Sequence, residues 1–327
     1  MGSRLNRRRL LQIGVVGLVP ACAGRDPPPL ENPDQPDVAR VTPNEEFYVV
    51  YYDEVPAVDG ALWRLAIDGL VSAPAELELT DIEALGLRDK EHTLQCIGAS
   101  PRNLAIGNAI WSGLPLGELL DRYGIVVADN ARFLHLRSAD AYLNQLDRAD
   151  LDDGRIWLVT RMNGVPLPAE HGFPARLLVS GRYGFKNPKW LERMTFAEEP
   201  IVGTWQELGY PDDASNRPAG FVHAPGFADE LANAPFTIVG SANCGNIPIT
   251  SVELSADEGA TWRPAEIVVR DVPDVWTLWR FPFSPPAAGD YIFLVRVRAA
   301  DGRESLPENP EDNGGWQGYG RLSVRVT

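Results

Sequence analysis

Over most of the chain, hydrophobic and polar positions alternate in short stretches instead of recurring at helical spacing. Such a period of two marks half-buried strands. Residues 47–52 (FYVVYY) are aromatic and β-branched and predict a strand. Residues 62–70 (LWRLAIDGL) alternate and turn at Asp68-Gly69, and residues 131–136, 156–160 and 177–179 predict further strands. Asn163-Gly164 is a strong tight-turn signal. A short helix is expected over 80–85, with a Thr80 cap and an acidic first turn. Residues 93–120 run from a short apolar stretch into a loop of Gly, Ser, Pro, Arg and Asn, then into a helix-like segment ending in GELL. Residues 200–226 are loop-rich and predict a connection. Beyond them the character is all-β. Runs at 236–240, 249–255, 265–269, 276–281, 291–299 and 322–326, with turns between, predict an immunoglobulin-like sandwich. The fold class is therefore α+β, a mixed domain followed by an all-β one.

Length and the opening residues add boundaries. A chain of 327 residues suggests two domains. Residues 1–9 are short and basic, and 10–21 are apolar but too short to span a bilayer, as in a signal peptide. The run 6–12 (NRRRLLQ) fits a twin-arginine pattern, and 19–22 (VPAC) fits a loose lipobox that would acylate Cys22. The expected division is a signal over 1–21, a Pro-rich tether over 22–43, a first domain over 44–217 and a second over 218–327. The expected location is the periplasm or the outer face of the cytoplasmic membrane, with a lipid anchor at Cys22.

Charge narrows the partners. The formal net charge is −15, and loss of residues 1–21 removes four arginines and no acids, making it −19. That argues against nucleic acid, whose phosphates need clustered Lys and Arg. One local basic cluster stands out: Arg176, Arg182, Lys186 and Lys189 fall within fourteen residues, interleaved with Gly181 and Gly184. Basic side chains beside exposed backbone N–H groups suit an anion such as a phosphate.

Chemistry-bearing residues are few. The four histidines have no zinc-ligand spacing, and neither a GxSxG nor a Walker motif is present. Cys96 opens the Gly/Ser/Asn loop; it could be inert packing, a nucleophile, a metal ligand or half of a disulfide with Cys244. A soft thiolate in the same domain as an anion site suits a metal held together with an anionic cofactor.

The blocks TPNEEFYVV, LQC, AIGNAIWSGLPLGELL, SADAY, RMNGVPLPAEHGFPARLLVSGRYGFKNPKWL and SVELSADEGATW, in this order, resemble the sulfite oxidase family of molybdenum cofactor enzymes from about Thr42 to the C-terminus. The resemblance implies a molybdopterin-binding domain followed by an immunoglobulin-like dimerisation domain, hence a homodimer. It implies that Cys96 ligates molybdenum and that His171, Arg176 and Lys189, with Lys186 nearby, hold the pterin and its phosphate. Trp111 matches the pocket tryptophan and Tyr142 the active-site tyrosine, and Arg102 is the surviving arginine of the loop after the cysteine. The expected reaction is two-electron oxygen-atom transfer on a small molecule. No CxxCH haem motif is present, so electrons are expected to pass through a separate partner such as a c-type cytochrome.

Two family arginines are missing. Val50 stands where one is expected, and Tyr319 aligns with the other. A small dianion needs concentrated positive charge, so classical sulfite is not the expected substrate. The competing expectation is a cofactor-free binding or adhesion protein on the same two-domain scaffold.

Overall fold

The structure is a computed structural model that describes residues 38–269 and 272–327. The signal, lipobox and most of the tether lie outside the described residues. The chain is predominantly β, and its longest described helix is Leu116–Arg122.

Two sheets build the first part. One has the strand order Ala75–Glu78, Arg64–Gly69, Leu191–Ala197, Phe133–Ser138 and Leu143–Asp147, antiparallel except that Arg64–Gly69 runs parallel to Leu191–Ala197. The other orders Arg88–Gln95, Ile106–Pro115, Ile156–Met162 and Val165–Pro166, with Arg176–Val179 also paired to Ile156–Met162. Alternation explains the first sheet: in Arg64–Gly69, Leu65 and Ile67 point inward and are fully buried. They join Leu134, Leu136, Met194 and Phe196 in one core with helix residues Leu116, Leu119 and Leu120. Burying a Leu or Ile side chain contributes roughly 1.5–3 kcal/mol, so this core is the main stabiliser of the first part.

The second part packs two sheets face to face. One orders Ala219–Ala224, Phe236–Asn243, Thr277–Phe283 and Glu266–Val269. The other orders Glu230–Leu231, Gly320–Val326, Gly289–Ala299, Ile249–Ser255 and Arg263–Pro264. Their inner faces meet through Ile238, Trp279, Phe281, Phe293, Val295 and Val324, giving a β-sandwich. Gly240 is required there, because a Cβ would meet Phe221 O at 2.1 Å and the Trp279 ring at 2.3 Å.

The two parts are joined by buried contacts. Asp274 accepts from Lys90 Nζ at 2.7 Å and from Ser180, and Asn243 donates to Gln95 Oε1 at 2.8 Å. Thr93 N donates to Asp274 O and Thr93 Oγ1 accepts from Trp276 N, both at 2.8 Å.

Several local expectations change. Residues 47–52 form no strand. Their aromatic run lines a cavity instead of pairing, with Phe47 stacked on Tyr48. The helix-like segment before GELL is mostly the strand Ile106–Pro115, and the helix starts only at Leu116. The first short helix spans Leu79–Glu83, so its cap is Glu78, whose N–H donates to Asp81 Oδ2 at 2.8 Å, and Thr80 sits inside it. The loop-rich stretch 200–226 contains the 3₁₀ turn Gln206–Leu208 and the strand Ala219–Ala224. The Asn163-Gly164 turn is as expected, with φ of 50° and 80°.

Candidate active site

Cys96 lies one residue past the strand Arg88–Gln95, and its N–H donates to Ala105 O at 2.9 Å. The adjoining strand begins at Ile106, so the loop between is a hairpin tip that projects the thiol from the sheet end. Cys96 is half-buried, and neither it nor Cys244 is in a disulfide. Burial pushes the thiol pKa up, opposed by a hydrogen bond from the Gly98 backbone.

The thiol opens into a cavity of about 180 Å³. Tyr142, His171, Arg176 and Lys189 line it together with Cys96. Arg176 begins the strand Arg176–Val179, and its guanidinium donates to His171 O and Asn187 O, each at 3.0 Å. Its Nε is buried with no hydrogen-bond partner. Burial lowers its pKa to about 10, which leaves it charged at neutral pH. Beneath it, Trp111 is buried and donates from Nε1 to His92 O at 3.0 Å. Trp111 thus supports the site from below and does not line the cavity.

His171 sits at the end of the 3₁₀ turn Ala169–His171. Its Nε2 lies 2.9 Å from Asn44 O. A carbonyl only accepts, so Nε2 carries the proton. Burial lowers the His171 pKa, favouring the neutral ring. Lys189 donates to Glu170 O at 2.8 Å and lies 4.2 Å from the Trp190 ring centroid. Burial, and then the charge of Arg176, lower its pKa to about 7. The Tyr142 hydroxyl donates to Phe185 O at 2.7 Å, and burial raises its pKa well above normal.

The basic cluster divides. Arg176 and Lys189 face the cavity. Arg182 is held by Asp150 and Asp213, while Lys186 donates to Asp212 Oδ1 at 2.6 Å and to Gln145 O at 2.9 Å. Carboxylates distant in sequence neutralise both, so Lys186 is not brought to the cavity. Arg102 is not brought there either: it stacks on Phe227, 4.8 Å from the ring centroid, in a second cavity. Tyr319 lies in that second cavity too, 5.1 Å from the Trp262 ring. Val50 does line the first cavity and is 46 % exposed.

Most of the cavity wall lies outside the residues that the sequence pattern singles out. Tyr48, Tyr51, Tyr52, Phe185, Trp205 and Tyr210 contribute to it. The aromatic run at 47–52 was a usable signal, since such residues without polar alternation suit a binding wall as well as a strand. Nothing local marked Trp205 or Tyr210. Among the described residues, no group of three or more His, Cys, Asp or Glu side chains could hold a metal ion. A metal bound at Cys96 must therefore bring its other ligands with it.

The cavity thus joins a single thiol and a cationic wall on a β-rich scaffold. Residues 52–205 match the oxidoreductase molybdopterin binding domain. Over this stretch and beyond it the chain is similar to the sulfite oxidases. It is 29 % identical over 293 residues to the mitochondrial sulfite oxidase of Drosophila melanogaster, covering 74 % of this chain and 51 % of that one. It is 32 % identical over 162 residues to a putative protein-methionine-sulfoxide reductase subunit, YedZ1, of Azospira oryzae, covering 49 % and 59 %. The chain thus spans little more than half the length of these relatives. The fold is similar to that of the sulfane dehydrogenase SoxCD of Paracoccus pantotrophus, with a TM-score of 0.77, 20 % identity and coverage of 86 % and 80 %.

Proposed function

We propose that the chain is an exported molybdenum-cofactor oxidoreductase that transfers an oxygen atom, with two electrons, to or from a substrate less charged than sulfite. The observation that carries this reading is the shared cavity of Cys96 and Arg176, whose buried Nε has no partner. An orphaned buried cation donor is costly unless a ligand meets it. A pyranopterin phosphate is an anion of the right kind, and its dithiolene supplies the metal ligands that the described residues lack. When bound, this cofactor supplies the redox change and the oxygen exchange.

The protein's part is positioning and electrostatics. Cys96 would hold the metal as a thiolate, the form a bound cation favours over the protonated thiol that burial favours. Arg176 and Lys189 hold the anionic end of the cofactor, and His171 presents Nδ1 as an acceptor. Trp111 fixes Arg176 from beneath. Tyr142 is committed to Phe185 O; its phenol therefore acts by shaping the cavity and not as a proton donor at rest.

Substrate choice follows from the wall. Val50 offers no charge where an arginine would bind an oxyanion, and Tyr51, Tyr52, Trp205 and Tyr210 make the lining aromatic. Each missing charged hydrogen bond is worth roughly 1.5–3 kcal/mol. An apolar-substituted S-oxide or N-oxide suits this lining, a class that the name of one relative, a putative protein-methionine-sulfoxide reductase subunit, also carries, while the sulfite oxidases match over more of the chain. Electrons then pass to or from a separate redox partner.

The test is metal and pterin analysis with turnover on protein from a cofactor-competent host. Wild type is expected to carry molybdenum and turn over an alkyl aryl sulfoxide, whereas Cys96→Ser retains pterin and loses turnover. Wild type without molybdenum overturns the reading in favour of a cofactor-free binding protein. A low KM for sulfite overturns only its substrate half.

A further inference from the structure

The hairpin tip that carries Cys96 lines two cavities. Cys96, Ile97 and Gly98 face the pocket described above, whereas Ser100, Pro101 and Arg102 wall a second cavity of about 340 Å³. That volume lies at the lower end of small-molecule sites, roughly 300–1,000 Å³. Phe227, Trp316 and Tyr319 give it aromatic walls, and Arg321 joins Arg102 in its lining.

The charge here runs against the rest of the molecule. In a chain of net charge −15, arginines of the sandwich such as Arg217, Arg296 and Arg325 are paired with Asp312, Glu253 and Asp290. Among the described residues, Arg102 and Arg321 form no ion pair, although both are exposed. Glu308 is the one acidic lining residue and is also unpaired among the described residues, so the cavity carries one net positive charge. Arg102 lies over the Phe227 ring, a contact that holds its guanidinium at the cavity wall. In the same lining, the indole N–H of Trp316 is buried without an acceptor.

We propose that this second cavity binds a small planar aromatic molecule bearing an anionic group. The ring stacks on Phe227, Trp316 and Tyr319, and the anion meets Arg102 and Arg321. Unpaired guanidinium groups beside aromatic faces match both halves of such a ligand. The site does not depend on the metal at Cys96 and is separate from the reaction pocket.

Naphthalene-2-sulfonate is a suitable probe, titrated into the full-length protein by calorimetry. Saturable binding at one site is expected, weakened about tenfold or more by Arg102→Gln or Arg321→Gln and tightened by Glu308→Gln. Methanesulfonate and naphthalene-2-methanol, each carrying half of the recognition, are expected to bind at least tenfold more weakly. Tyr210→Ala, in the other pocket, should leave probe binding unchanged. Affinity indifferent to both arginine variants overturns the proposal, as does loss of binding on Tyr210→Ala alone. A dimer that dissociates on Arg102→Glu and takes up no probe also overturns it, because a second copy then covers the cavity. Melting curves on each variant confirm folding, since the substituted arginines are exposed.

Discussion

The guanidinium of Arg176 lies 5.2 Å from the ring centroid of Trp111, both side chains being buried. The ring fixes the guanidinium plane, two of its nitrogens are spent on His171 O and Asn187 O, and Nε is left over. Lysine cannot reproduce this fork. Arg176→Lys is expected to lose at least one of the two carbonyl bonds, destabilising the fold by about 1.5–3 kcal/mol. Urea unfolding measures that loss, and pterin content should fall in the same variant. An unchanged midpoint together with full pterin content contradicts the role given to Arg176.

Lys189 gives the cofactor-free protein a pH dependence of defined sign. Its folded pKa is lowered to about 7 from 10.5. Between those values the unfolded chain binds more protons, so this group raises stability as pH rises from about 7 toward 10.5. Below about 7 it is charged in both states and adds no slope. Lys189→Met should flatten the stability profile over that window, as read by denaturant midpoints in steps of one pH unit. Affinity for sulfate, whose charge is constant over this range, should show the opposite trend, strengthening in wild type as pH falls through 7 and remaining flat in the variant.

Val50 is a half-open position in the pocket wall, so an arginine there meets little steric or desolvation penalty. Val50→Arg is expected to lower KM for sulfite by about tenfold to a hundredfold, the equivalent of one charged hydrogen bond. Turnover of a neutral sulfoxide should fall or stay level. If steady-state kinetics show sulfite KM unmoved, the missing arginine is not what limits sulfite.

Acid should loosen the sandwich before it affects the exposed carboxylates. Burial lowers the His223 pKa to about 4 from 6.5, with its ring 5.6 Å from the Trp276 ring. The unfolded chain binds the extra proton between those values, so stability falls as pH drops from about 6.5 to about 4. The full shift corresponds to about 3 kcal/mol. His92 is shifted in the same direction, chiefly by burial. His223 Nε2 lies 2.9 Å from Ser241 Oγ; His223→Gln keeps a hydrogen-bonding side chain there and should remove part of the slope, which tryptophan fluorescence during acid titration follows directly.

Local pattern carried much of the architecture. The strand Ile249–Ser255 coincides with the alternating run that predicts it, and Asn163-Gly164 turns as its residue types require. Failures came where two structures share one local composition. A short apolar run suits a buried strand or a helix equally, so Ile106–Pro115 was ambiguous until its neighbours were known. Aromatic and β-branched residues at 47–52 suit a ladder or a pocket wall. In the site, Cys96 stands out because thiols are rare in the chain, and Arg176 because it falls in the one dense basic, glycine-rich stretch. The division of the basic cluster was not, because Asp150, Asp212 and Asp213 reach Arg182 and Lys186 only through tertiary folding.

Residues 47–52 pass along the pocket outside every strand, tied in just upstream by Thr42 N to Asn108 O at 2.7 Å and by His171 to Asn44 O. A strap held this way can change its side chains without shifting any strand register, because no ladder bond runs through it. The thiol and the buried arginine, by contrast, stand at strand ends whose positions the sheets dictate. Reactivity and selectivity therefore belong to different mechanical parts of this scaffold. A new substrate calls for a rewritten strap, while Cys96 and Arg176 stay where the sheets put them.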